Sequence, residues 1–143
     1  MSIKYPGVDA VLSVDDGASG FTEIAGVMDI NGPGISLRTF EMATRDATSN
    51  FVEHIAGLLD PGELTFSIAY DPDDATHKHS GTTGILGLML ARTLIAFKLT
   101  MPDTTPTAWT FSAFVTNFQP KMPVEGGMTA DLTLRISGAI TIA

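Results

Sequence analysis

The sequence predicts a mainly β protein, a β-sandwich or barrel-like fold with one short α-helix and a long inter-strand loop. Three observations carry that prediction. Leu64, Phe66, Ile68 and Tyr70 alternate with Glu63, Thr65, Ser67 and Ala69, and Met128 to Ile136 alternates in the same way, so two segments each offer one face to a core and one to water. Fourteen glycines and eight prolines are scattered, which punctuates turns between short apolar segments rather than marking a disordered or fibrous tract. The 143 residues fit one domain, residues 1–143, able to bury ~70% of the surface its unfolded chain exposes.

The elements follow in chain order. Residues 1–20 mix a short apolar piece, Val8 to Val14, with Asp15, Asp16, Gly17 and Ser19, and read as an N-terminal arm or irregular first strand followed by a loop. Phe21 to Ile30 places Ile24, Gly26, Met28 and Ile30 on one side. Asn31-Gly32-Pro33-Gly34 then turns the chain into a strand over Ile35 to Met42, which predicts a hairpin. From Ala43 to Pro61 the apolar residues Phe51, Ile55 and Leu58 have helical spacing, but Thr48, Ser49, Asn50, Gly57 and Asp60 interrupt it. A long loop with at most a helical turn is expected over 44–61, packing its bulky residues against something.

After the strand Glu63 to Tyr70, the segment Asp71 to Gly81 is polar. Thr82 or Thr83 is placed to cap a helix over Gly84 to Arg92 with Ile85, Leu88 and Met89 inward. Ile95, Phe97, Leu99 and Met101 alternate with Ala96, Lys98 and Thr100, and Pro102, Asp103 and Pro106 make the next turn. Ala108 to Phe118 carries Trp109 and Phe111 on one parity but Phe114 and Phe118 on the other, which predicts a bulge or a change of packing partner midway.

Composition excludes several functions. Sixteen acidic against eight basic residues give a formal charge of −8, so no surface is expected to hold nucleic acid by neutralising phosphates. With no cysteine there is neither a disulfide framework nor a cysteine metal site, which suits a reducing compartment. Lys4, Pro6, Gly7 and Asp9 stand where a signal peptide needs an apolar core, and the longest apolar run, Gly84 to Ala91, falls short of the ~20 residues of a membrane helix.

Site chemistry is sparse. His77-Lys78-His79 after Asp71, Asp73 and Asp74 offers metal-ligand residue types without the period of a known site, and the Asp residues read more simply as turn acceptors. No metal site is expected. Gly81-Thr-Thr-Gly84 lacks the lysine of a phosphate loop, and no Ser, His and acid combination stands out, so no catalytic residue, cofactor or enzymatic activity is expected. Trp109, Phe111, Phe114 and Phe118 would stack bases only beside a basic groove, and they read as core and interface residues instead.

Three stretches carry a family resemblance: Ile55-Ala-Gly-Leu-Leu-Asp-Pro-Gly-Glu-Leu-Thr-Phe-Ser-Ile-Ala-Tyr-Asp-Pro72 with the later His77, Phe111-Ser-Ala-Phe-Val-Thr-Asn-Phe118, and Leu132-Thr-Leu-Arg-Ile-Ser-Gly138. Together with the element order, they resemble the tail tube (major tail) proteins of long-tailed, lambda-like bacteriophages. The resemblance implies rings of six subunits whose inner strands join into one β-barrel, stacked into a hollow tube for DNA in a virion tail assembled in the host cytoplasm. Tail terminator, tape measure and tail tip proteins would be partners, and DNA would pass without specific binding. By strand parity Glu63, Thr65, Ser67, Thr110, Ser112, Thr129, Asp131 and Thr133 are the lumen-facing candidates. The family's long loop contacts neighbouring subunits, a role that falls here on Phe51, Ile55, Leu58 and Leu59. Tubes of contractile tails, secretion systems and gene transfer agents share this pattern. From other classes, a monomeric barrel binding a small ligand would explain the aromatics and alternation equally well, and an acidic-site hydrolase would need a pocket of convergent carboxylates.

Overall fold

A computed structural model describes residues 4–17, 20–42 and 52–143. Among them the strands are β1 (Val11–Asp15), β2 (Phe21–Glu23), β3 (Val27–Asn31), β4 (Ser36–Met42), β5 (Glu53–Asp60), β6 (Glu63–Ala69), β7 (Ile95–Thr100), β8 (Ala108–Lys121), β9 (Thr129–Ile136) and β10 (Thr141–Ile142), and the one α-helix is α1 (Ile85–Leu90). The expected class, mainly β with one short helix, is the class observed. β4 and β5 pair with each other, and the rest form one antiparallel sheet in the order β2-β1-β7-β8-β9-β6-β3, with β10 added beside β8.

That order closes on itself. β2 and β3 stand at its two ends, yet only Ile24, Ala25 and Gly26 separate them in sequence. The bend hooks onto both flanks: the Ile24 N–H donates to Leu12 O at 3.0 Å and the Ala69 N–H donates to Gly26 O at 2.8 Å. The sheet is therefore rolled into a barrel whose seam is this bend. Its interior is filled by Leu12, Val14, Ile24, Leu64, Phe66, Ile68, Phe97, Leu99, Phe111, Leu132 and Leu134, with Ile85 and Leu88 of α1 packed into the same core. Met89 packs against it, so the inward helix face is the one expected. The cap differs: Gly84 precedes the helix without a side-chain cap, and the Thr83 hydroxyl donates to Ala75 O instead.

One open alternative is decided and two expectations are corrected. Of the two readings of the first segment, an arm or an irregular first strand, Val11–Asp15 takes the second and is an inner strand of the sheet, because Leu12 and Val14 turn into the core while the backbone pairs with β2 and β7. β3 does not form a hairpin with β4. It pairs with β6, and a register shift between Val27 and Ile30 turns Met28 outward, half-exposed, while Val27 and Ile30 pack on the core. Finally, residues 53–60 of the expected long loop are a strand, β5. Its spacing misled because a register shift opposite Leu37 to Thr39 breaks the period of two.

The β4–β5 ribbon leaves the barrel at a narrow neck. Gly62 has φ +75° and Gly32 φ +103°, both left-handed, and a Cβ on Gly62 would collide with Gly34 O, while one on Gly32 would lie 2.7 Å from Glu63 O. Glycine is required where these two backbones touch.

Candidate functional site

Two surfaces stand out, a polar facet on the barrel and the apolar ribbon beside it. The facet is the outward face of β3, β6, β9 and the second half of β8. Register puts Thr65 opposite Thr133, Ser67 opposite Asp131, Glu63 opposite Arg135 and Ala69 opposite Thr129. On its other side β9 pairs Thr133 with Asn117, Asp131 with Gln119 and Thr129 with Lys121. Directly opposed residues share a face, so Glu63, Thr65, Ser67, Thr129, Asp131 and Thr133 come together as one surface. A groove of about 290 Å³ crosses it, lined on the polar side by Asp29, Asn31, Thr65, Ser67, Asp131 and Thr133. The Ser67 hydroxyl accepts from the Asp29 N–H at 3.3 Å, tying β3 to the facet.

Thr110 and Ser112 do not join this surface. They sit on the first half of β8, opposite Lys98 and Ala96 of β7. The divide is the predicted irregularity of this strand: the β8–β9 register shifts between Val115 and Asn117. Before it Phe111, Ala113 and Val115 point inward; after it Phe118 packs on the core while Asn117 and Gln119 point out. Asn117, Gln119 and Lys121, all missed from sequence, therefore complete the facet, and so do Asp29, Asn31 and Arg135. The aromatic parity switch was the signal that pointed to the first three.

The facet carries two cations, each held by carboxylates. Lys121 Nζ lies 2.7 Å from Asp131 Oδ2, and Arg135 reaches Glu63 at 3.5 Å and Asp60 at 3.9 Å. Each cation is matched by a carboxylate on the next strand, and the remaining side chains are mostly hydroxyls and amides. Such a surface offers neither a hydrophobic grip nor an unpaired positive field.

Among the described residues, the strand pattern around the facet leaves two edges without a strand. β3 pairs only with β6. β7 stops against Ala113, and beyond it β8 pairs only with β9. The four strands alternate in direction, so an edge β3 of one copy and an edge β8 of another run antiparallel.

The ribbon is exposed on both strands over nearly its whole length. Leu37 pairs with Leu59 and Phe40 with Ile55, and Leu58 is 82% exposed. Met42 and Val52 are also exposed, so the ribbon presents apolar side chains that no part of the described chain covers. Of the four expected contact residues, Ile55, Leu58 and Leu59 lie on it, and Phe51 lies outside the described residues. At the neck an apolar hollow of about 390 Å³ is lined by Ile35, Leu59, Pro61, Gly138, Ala139 and Ile140.

The His77 cluster closes the barrel seam. His77 is 1% exposed; its Nε2–H donates to Ala25 O at 2.6 Å and its Nδ1 accepts the Asp71 N–H at 3.1 Å. The Ala25 N–H donates to Thr76 Oγ1 at 3.2 Å, and that hydroxyl donates to Asp74 Oδ1 at 2.6 Å. Asp74 also accepts the Thr76 N–H, and Asp71 accepts the Asp73 N–H, the turn-acceptor role expected for both. Those hydrogen bonds from Thr76, its hydroxyl first, hold the Asp74 carboxyl below the usual carboxylate range. Both ring nitrogens of His77 are thus spent on backbone. Among the described residues no group of three His, Asp or Glu side chains is placed to hold a metal ion.

No family model and no curated protein sequence matches the chain. Solved structures do. A chain of the virion of a native gene transfer agent particle superposes with a TM-score of 0.77 at 13% identity, covering 98% of this chain and 99% of that one. A chain of the tail of an empty gene transfer agent particle with C6 symmetry gives 0.73 at 16% identity, over 98% and 99%. The SPP1 tail tube gives 0.69 at 14% identity, over 97% of this chain and 78% of that one. At these identities the likeness is one of fold, and the fold of this chain is that of tail tube proteins.

Proposed function

We propose that this protein is the building block of a viral tail tube: copies join into rings of six, and rings stack into a hollow tube through which DNA is delivered. The observation that carries this is the four-stranded facet, polar on its outer face and ending on each side in an edge that no strand among the described residues covers. An uncovered edge invites pairing, and rotating copies about a common axis sets β3 of one against β8 of the next, antiparallel throughout. The facets then line one continuous barrel, with Thr65, Ser67, Asn117, Gln119, Asp131 and Thr133 toward the lumen. Closure of the ring removes every such edge. The ribbon supplies the second contact, its exposed leucines and Phe40 seated on a neighbouring subunit.

The gene transfer agent tail of similar fold has C6 symmetry, which supports the ring size. The role is structural rather than enzymatic, in the tail of a particle assembled in the host cytoplasm, with terminator, tape measure and tail tip proteins as partners at its ends. Within this reading a phage tail, a contractile tail or secretion system, and a gene transfer agent differ in what surrounds the tube, not in this subunit's work. A monomeric ligand-binding barrel is disfavoured by the interior, which Phe97, Leu12, Leu64, Leu132 and Leu134 fill with side chains at 2% exposure or less.

Negative-stain electron microscopy of the purified protein across a concentration series tests the proposal. Hollow filaments of stacked rings are expected. A chain that remains monomeric up to the highest concentration, with its fold intact by circular dichroism, would overturn it.

A further inference from the structure

We infer that the rings stack through a plug and a socket built at opposite ends of the facet: the β8–β9 turn of one copy enters the apolar neck hollow of a second copy in the next ring. This rests on the tube reading above and deepens it by naming the surfaces that make the axial contact.

The plug is Met122-Pro123-Val124. Met122 is 69% exposed and Val124 fully exposed at 104%, on a turn where Pro123 limits the backbone and Gly126 takes φ +114° to bring the chain back into β9. Water gains nothing from two apolar side chains at the far point of a hairpin. The socket is the hollow between the ribbon root and the segment after β9, whose lining of Ile35, Leu59, Pro61, Gly138, Ala139 and Ile140 presents no polar side chain.

Their placement makes the second copy the occupant. The turn extends from the end of the facet where Lys121 faces Thr129 and the Tyr70 N–H donates to Met128 O. The hollow lies at the other end, where Glu63 faces Arg135 and the Ile136 N–H donates to Gly62 O. All of β6 lies between them, about 20 Å of strand, so the plug of one copy cannot reach its own socket. A complementary pair on opposite ends of one molecule makes a head-to-tail contact, which has no closure and propagates as a filament.

Charge agrees with the same pairing. Glu125 travels with the plug and has no ion-pair partner among the described residues, while Arg135 stands three residues from Gly138 of the socket. Its own carboxylate contacts are long, 3.5 Å to Glu63 and 3.9 Å to Asp60. A guanidinium has five N–H donors, so Arg135 has capacity for an incoming carboxylate.

The absence of cysteine gives a clean test. The double variant Val124→Cys with Ala139→Cys is assembled, oxidised and run on a non-reducing gel beside each single variant. A ladder of covalent multimers from the double variant alone is expected. Filaments in the microscope without a ladder would overturn the plug and socket while leaving the tube reading intact. If the unaltered protein forms no filament in the same series, the tube reading itself fails, and this inference with it. As a second arm, Val124→Glu is expected to leave the melting curve unchanged, since Val124 touches no core, and to lower the sedimenting fraction roughly tenfold. Unchanged sedimentation of that variant would overturn the contact independently of cross-link geometry.

Discussion

At the scale of single residues, the informative group is the chain of hydrogen bonds from Ala25 through Thr76 to Asp74, with His77 on the other side of the same residue. It satisfies both backbone groups of a residue that sits in the seam of a rolled sheet, where no neighbouring strand serves them. Asp74 anchors the chain in its ionised form. Because its carboxyl is held below 3.8 in the folded state, it contributes stability that is fully present above that value and is lost as pH falls through the lower, folded value. Asp74→Ala is therefore expected to cost about 1 kcal/mol at pH 7, and the gap to the unaltered protein should narrow as the solution is acidified below pH 3.8. Urea titrations of both proteins at a series of pH values measure this; a gap that stays constant through that window would show that the carboxylate charge plays no part.

At the scale of elements, the ribbon is separable from the barrel. None of the buried core residues belongs to β4 or β5, and the neck brings Gly34 against Gly62, so the chain ends left by removing the ribbon already lie together. Joining Ile35 to Pro61 with residues 36–60 excised should leave the melting temperature within a few degrees of the parent and abolish filament formation. An excised protein that still polymerises would remove the ribbon from the assembly contacts, and one that unfolds would tie it to the barrel. The ribbon also marks what the sequence conceals. β6, β7 and β9 were readable because each buries one face, which writes a period of two into Leu64 to Ile68, Phe97 to Leu99 and Ala130 to Ile136. β5 buries neither face, so selection for a core left no period in Glu53 to Asp60, and a register shift erased the remainder. β3 failed for another reason: its partner, β6, lies over thirty residues away, and the local turn Asn31 to Gly34 pointed to the wrong one. On the facet, parity found Thr65, Ser67, Thr129, Asp131 and Thr133. It could not place Thr110 and Ser112 apart from them without knowing where β8 exchanges β7 for β9.

At the scale of the whole molecule, the proposed assembly sets charge repulsion against apolar contact. In the proposed tube each copy would bring a formal −8 beside and on top of its neighbours, and the facet's own cations already face Asp131, Glu63 and Asp60 of the same copy. Apolar contacts at the ribbon and the neck must therefore offset a repulsion that grows with every ring added. Salt acts unequally on the attraction and the repulsion: raising ionic strength from about 10 mM to about 150 mM shortens the screening length from about 30 Å to about 8 Å, which weakens repulsion between copies while leaving apolar burial nearly untouched. The lowest concentration at which filaments sediment is accordingly expected to fall as salt rises across that range. The opposite trend, filaments dissolving in salt, would mean that ion pairs between copies, of the kind available to Glu125 and Arg135, outweigh the net repulsion. On the proposed reading, a lumen of hydroxyls, amides and internally matched charges would give phosphates no uncompensated cation to displace their counterions, so DNA would pass without being held.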